Sequence, residues 1–342
     1  MKISFSQISI KTIFSTTPRD TISLEQEVDR IYGGDYKKYE RIKKTIGLDR
    51  RHIVDSSTTT LDLCANSAKA LLDSGSIKAS EINALIFVTQ TPDYLQPNNA
   101  HILHGILDLG MDCIALEINA GCSGYVYGLF LSYMMIQNGA KNILLCVGDT
   151  ISKIINPLDS NTAPLFGDAG SATLVAFDDA SDDSYFAMHA DGKGFGNIIY
   201  PNSGFRVDNR DKYLLMNGAE VFNFSIDKEP KSIEEILAFA NKHIELIDFI
   251  FFHQANSYII SNIARRLHLP PHLAPSESIC KYGNTSSASI PLAICDRLQG
   301  GPNRDLQVIL SGFGVGLSWA SALLTLKCDT LISKPLIYKE KK

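Results

Sequence analysis

Two short apolar segments far apart in the chain match each other: Ile86-Phe87-Val88-Thr89 and Ile250-Phe251-Phe252-His253. Each leads on to a turn of small residues, one around Cys122 and one around Asn284. The intervals Thr89–Cys122 and His253–Asn284 differ by only two residues. A helical pattern and a further strand-like run follow each turn. Such a repeat restricts the fold, because related units with apolar faces bury them best against each other, and alternating strands and helices indicate an α/β class. Two facing copies would bring Cys122, His253 and Asn284 to one central site. The halves are read as residues 1–183, carrying the cysteine, and 184–342, carrying the histidine and the asparagine.

Periodicity predicts helices over 58–72, 101–109, 122–137, 232–243, 256–267 and 285–298, with Gly139 closing the third. It predicts strands over 83–88, 113–118, 142–147, 246–252, 306–310 and 317–327. Runs 172–177 and 185–190 read as a strand pair joined by the acidic connector Asp178–Asp183. The Cys, the His and the Asn each read as sitting in a turn after a strand-like run.

The 342 residues suffice for roughly two domains of about 150 residues. A hydrophobic content of 45% with 20% charged residues fits a globular chain with a large core. A net charge of -5 argues against a general nucleic-acid binder. The seven cysteines include no C-x-x-C pair, which points away from a disulfide framework or zinc site and toward a reducing cytoplasm. Met1–Ile10 alternates apolar and polar residues, as a strand does and a signal peptide does not. The apolar run 125–136 is too short to span a bilayer. The tail 339–342 reads as solvated.

Cys122 stands in Asn119-Ala120-Gly121-Cys122-Ser123-Gly124, where small residues leave room for an acyl chain and let backbone N–H groups face the sulfur. A thiolate is the reactive form, so the helix N-terminus after Cys122 is expected to draw the thiol down from its ordinary value of about 8.5. The other six cysteines read as structural. A cysteine with His and Asn partners indicates covalent acyl chemistry. Papain-type hydrolases share that set, but the C-G-S-C-W-like signature is absent. A non-catalytic partner subunit would have a damaged triad, and this one is intact. His101-x-x-His104 lacks a completing ligand and reads as structural, and Gly167-Asp168-Ala169-Gly170 lacks the phosphate-loop lysine. No metal or cofactor is expected.

The segments Gln90-Thr91-Pro92-Asp93-Tyr94, Asn119–Gly124, Leu165-Phe166-Gly167-Asp168, His253-Gln254-Ala255-Asn256, Gly283-Asn284-Thr285-Ser286 and Gly312-Phe313-Gly314-Val315-Gly316 occur in family order. With them the chain resembles the thiolase superfamily, and within it the β-ketoacyl-acyl-carrier-protein synthase III family, nearly end to end. The resemblance implies two related halves in a five-layered αβαβα sandwich, and a homodimer. It implies decarboxylative condensation of an acyl group on Cys122 with malonyl on an acyl carrier protein. His253 and Asn284 would hold the enolate oxygen, and the N–H groups of Cys122 and Val315 would form the acyl oxyanion hole. Gln96, Asn256 and Phe313 would line the substrate pocket, and Arg265 and Arg266 would meet the carrier protein.

The chain also departs from the family pattern. Arg41 and Ser160 stand where a Trp and an Arg commonly clamp the adenine of CoA, and the single Trp is Trp319. The donor is therefore left open between acyl-CoA and acyl-carrier protein. Gln96 replaces an apolar residue that the family lends to the neighbouring subunit's pocket, which favours a specialised pathway over plain fatty-acid initiation. Tyr258 and Asn223 replace residues that are often basic. Acyl transfer to an alcohol or amine without decarboxylation is the alternative reading.

Overall fold

A computed structural model describes residues 1–206, 208 and 210–339. Glu340–Lys342 of the tail lie outside the described residues. The main elements of the first half are β1 (Lys2–Phe5), β2 (Ile8–Thr17), α1 (Thr60–Asp73), β3 (Ala84–Val88), α2 (Asn99–Ile106), β4 (Ile114–Ile118), α3 (Gly124–Gln137), β5 (Asn142–Asp149) and β6 (Ala169–Phe177). Those of the second are β7 (Ser184–Ala190), α4 (Gly218–Ala240), β8 (Phe249–Phe252), α5 (Ser257–Arg266), α6 (Glu277–Tyr282), α7 (Ser289–Arg297), β9 (Leu306–Gly314) and β10 (Ser318–Leu326). Two short strands, β11 (Leu331–Ile332) and β12 (Leu336–Ile337), end the chain.

The strands form two main sheets. One has the order β11-β2-β6-β5-β3-β4, with β12 also on β2, and the other has the order β1-β7-β10-β9-β8. The chain ends cross over: β1 joins the second sheet, and β11 and β12 join the first. Ile86 and Val88 face inward toward α3 and α7. Leu85 and Phe87 face outward toward α1 and α2. This alternation is the period of a strand with both faces covered, which is why β3 reads as unbroken apolar sequence. On the second sheet, Ile250 and Phe252 pack against α4 and α5. The result is five layers: α1 and α2, the first sheet, α3 with α7, the second sheet, then α4 and α5.

Several expectations change. The runs 172–177 and 185–190 do not pair. β6 lies between β2 and β5, and β7 lies between β1 and β10, in different sheets. Both strands are largely buried and need a neighbour on each side. Their connector therefore passes from sheet to sheet, anchored where Ser9 and Lys11 donate to Asp178 at 2.8 and 2.7 Å. The alternating N-terminus is two strands, broken at Gln7, whose φ is 60°. Asn284 follows the helix α6, not a strand. The helix expected from 232 begins at Gly218 and runs through Pro230. Pro230 has no N–H to give to the Ile226 carbonyl, and Arg266 Nη1 donates to that oxygen instead at 2.7 Å.

Candidate active site

Cys122 lies in the turn between β4 and α3, and Gly124 N–H to the Gly121 carbonyl, at 2.7 Å, closes that turn. The backbone of Gly314 is pressed onto it: a Cβ there would stand 2.9 Å from Cys122 Sγ. That approach lets the Val315 N–H reach the sulfur, beside the N–H of Cys122 itself. Ser286 Oγ lies 4.0 Å from Sγ. The thiol is not drawn down as the sequence suggested. Burial, and secondarily the Asp149 carboxylate, push it up to about 12, while Ser286 and the two N–H groups oppose the rise. Desolvation outweighs the helix terminus, and the resting site holds a neutral thiol.

His253 continues β8, with its N–H on the Ser311 carbonyl at 2.7 Å. Its Nδ1 lies 2.7 Å from Ser289 Oγ, which also accepts the Gln254 N–H at 3.2 Å. The Ser289 hydroxyl has a proton that it can give to Nδ1, an arrangement that would put the ring hydrogen on Nε2. Burial pulls the imidazole down to about 3, so it is neutral across physiological pH. Phe313 packs edge-on against the ring at 5.4 Å.

Asn284 is held by the opposite half. Its N–H donates to the Leu165 carbonyl at 2.9 Å, and its carbonyl accepts the Gly167 N–H at 3.0 Å. Gly167 is required there, since a Cβ would stand 2.1 Å from the Tyr282 carbonyl oxygen. Asn284 Oδ1 accepts the Ser286 N–H at 2.9 Å. The amide Nδ2 donates to nothing among the described residues.

These groups share one cavity of about 450 Å³, lined by Cys122, His253, Asn284, Asn256, Phe313 and Val315 among others. Asn256 also caps α5, accepting the Ile259 N–H at 2.9 Å. A larger cleft of about 700 Å³, lined by Arg19, Asp20, Asp55 and Lys339 among others, contains neither cysteine nor histidine. Gln96 is exposed on its loop and does not line the 450 Å³ cavity. Arg265 and Arg266 are exposed on α5 around a groove with Ile226 and Asn262. Arg266 thus has a structural task on the Ile226 carbonyl as well. Tyr258 stacks on Phe222 with ring centroids 5.2 Å apart. The rings of His101 and His104 serve local contacts to Asn98 and the Gly110 carbonyl.

Sequence reasoning passed over Asp149. Fully buried at the end of β5, it accepts from Gln90 N–H and Thr89 Oγ1 on one oxygen and from Ser287 on the other. It ties the loop after β3 to the Asn284 turn. A lone carboxylate ending an apolar strand was the available signal.

The family description "3-Oxoacyl-[acyl-carrier-protein (ACP)] synthase III" matches residues 116–194, and its C-terminal counterpart matches 237–326. A Campylobacter jejuni protein named for the same synthase is 36% identical over 100% of both chains. The chain belongs to the β-ketoacyl-acyl-carrier-protein synthase III family. A Clostridium perfringens family member is 35% identical over 91% of this chain and 96% of its own. The crystal structure of a 3-oxoacyl-(acyl-carrier protein) synthase from Burkholderia xenovorans LB400 superposes with a TM-score of 0.94 at 38% identity, covering 99% of both chains. The five layers are thus the thiolase-type fold of this family, and the chain is an enzyme of the acyl-transferring condensing class.

Proposed function

We propose that this enzyme joins an acyl group held on Cys122 to a malonyl group carried by an acyl carrier protein, with loss of CO2. The observation that carries the reading is one cavity with a cysteine at two backbone N–H groups and two neutral N–H donors, His253 and Asn284, on its wall. The Cys122 sulfur attacks the donor thioester, whose carbonyl oxygen lies on the N–H groups of Cys122 and Val315. A C–S bond forms, the donor's C–S bond breaks, and the thiol proton leaves with the departing sulfur. The malonyl C–C bond to its carboxylate then breaks. CO2 departs and the electron pair becomes an enolate, whose oxygen accepts from His253 Nε2–H and Asn284 Nδ2–H. Each such donor is worth about 10²–10³ in rate. The enolate carbon attacks the acyl carbon, and Cys122 leaves and regains a proton. A neutral His253 suits this role, because it donates without requiring acid pH.

The donor is an acyl-CoA or acyl-carrier protein, and Arg265 and Arg266 offer cationic contacts to the acidic carrier. The product enters fatty-acid or specialised lipid or polyketide synthesis. We also propose a homodimer. β4 is an edge strand whose Ile114 and Leu116 are 56% and 40% exposed, and an open apolar edge favours pairing with a second copy. In that dimer Gln96 reaches the partner's acyl pocket. Seven free cysteines support a cytoplasmic location. Among the described residues no helix is long and apolar enough to cross a membrane.

Intact-mass spectrometry of malonyl-carrier protein tests the reading, after incubation with the enzyme and a panel of acyl thioesters. A carrier bearing the acyl group plus an acetyl unit, with CO2 lost, is expected. Acylated enzyme beside unchanged malonyl-carrier protein would overturn condensation in favour of acyl transfer to an alcohol or amine.

A further inference from the structure

The polar atoms around Cys122 are nearly all paired within the chain. Asp149 is saturated by Thr89, Gln90, Thr91 and Ser287, and Asn284 Oδ1 holds the Ser286 N–H. Asn284 Nδ2, which the condensation uses, is one exception, and Gln90 is another. Its backbone N–H is fixed on Asp149 at 2.8 Å, and its side-chain Nε2 donates to Ser286 Oγ at 2.8 Å. Ser286 Oγ in turn lies 4.0 Å from Cys122 Sγ, so the Gln90 amide nitrogen supports the hydroxyl that faces the sulfur. The other amide atom, Oε1, accepts no hydrogen bond among the described residues, yet the residue lines the cavity.

That oxygen is beside the nucleophile. A Cβ on Gly121 would stand 2.9 Å from Gln90 Oε1 and 2.4 Å from Val315 Cγ1. Oε1 therefore lies against the turn that presents Cys122, on the side of Val315, whose N–H belongs to the oxyanion hole proposed above. With the acyl carbonyl seated on that N–H, the next carbons of the chain pass the amide oxygen. A plain alkyl chain would cover Oε1 and leave a buried acceptor unmatched, which is costly, whereas a hydroxyl would satisfy it.

Resting on the condensation reading above, we infer that Gln90 selects the starter, favouring a short acyl group with a hydroxyl on its second or third carbon over the plain chain of equal length. The signal in the sequence was Gln90 itself, an amide at the mouth of an apolar strand.

The test compares butyryl, 2-hydroxybutyryl and 3-hydroxybutyryl thioesters of CoA and of carrier protein as donors to the full-length enzyme. It reads kcat/KM for acylation of Cys122 by mass and CO2 release with malonyl-carrier protein. At least one hydroxy donor is expected to exceed butyryl by about tenfold or more, the penalty for an unmatched buried acceptor. Gln90→Met, which keeps the length and removes the amide, is expected to bring that ratio to about one or below, since a thioether no longer strands a strong acceptor. The wild-type ratio needs no variant, so a misfolded Gln90→Met does not remove the test. Butyryl matching or exceeding both hydroxy donors, or a ratio unchanged in a folded Gln90→Met, overturns the inference while leaving condensation intact. Failure of all three donors to label Cys122, while another starter of the panel labels it and releases CO2, overturns this inference and keeps condensation; unchanged malonyl-carrier protein with every acylating starter overturns both.

Discussion

The Cys122 turn and the Asn284 turn occupy matching places in the two halves, each leading into a helix between the sheets, yet they are held differently. The first follows β4, and the loop after β3 is pinned there by the Thr89 N–H on the Ile118 carbonyl at 3.1 Å. Backbone ladders and close glycine contacts shape it. The second has no such strand among the described residues. The place beside β8 is taken by a turn, Pro271–Leu273, and Gln254 Nε2 covers the edge by donating to the Phe252 and Pro275 carbonyls. Here side chains add to the backbone bonds with Leu165 and Gly167: Ser289, Gln254, Asn284 Oδ1, and Asp149 from the other half. The first turn presents Cys122 to main-chain N–H groups, its own and that of Val315 from the second half. The other presents side-chain donors whose protonation and orientation are set by burial and hydrogen bonding. The division predicts that the two chemical steps separate genetically.

The sharpest break comes from Cys122→Ala. It is expected to abolish the acyl adduct on intact-mass measurement, and undiminished labelling would sink the assignment of the nucleophile. Next, His253→Ala or Asn284→Ala is expected to lower CO2 release by about 10²–10³ while Cys122 is still acylated. Equal loss in both steps would show that the halves are not divided in this way.

A smaller effect concerns the polar layer beneath His253. Ser311, whose carbonyl holds the His253 N–H, donates through Oγ to Glu229 at 2.5 Å, while Glu229 Oε1 is buried without a partner among the described residues. Burial raises this carboxyl from 4.5 to about 8. Between those values the unfolded chain has released the proton and the folded chain keeps it, so stability falls as pH rises through the window. Glu229→Gln is expected to flatten that dependence and to exceed wild type at pH 8, by an amount on the order of a few kcal/mol. Parallel pH profiles of denaturant unfolding would contradict it.

The smallest effect separates the two arginines of α5. Arg266→Ala is expected to lower stability by about 1 kcal/mol, because the Ile226 carbonyl loses its donor. Arg265→Ala, whose guanidinium makes only a solvent-exposed bond to Asn262, is expected to stay within about 0.5 kcal/mol of wild type. Carrier-protein KM rising in both variants supports the docking role. A rise in neither leaves Arg266 structural only.

Much of the architecture was open to sequence reading. The repeat, the alternation of β3 and its copy β8, and the small-residue turns all follow from local rules: strand period, glycine permissiveness and the apolar cost of exposure. They placed Cys122, His253 and Asn284 as candidates before any coordinates. What local rules do not carry is pairing between distant segments. Whether β6 and β7 shared a sheet, why α4 passes through Pro230, and that Asn284 hangs on Leu165 and Gly167 were decided by partners far along the chain. The electrostatics belong to the same class. Desolvation depends on everything packed around a group. Only the folded chain therefore makes Cys122 a neutral thiol, keeps His253 neutral, and leaves one amide oxygen of Gln90 without a donor among the described residues.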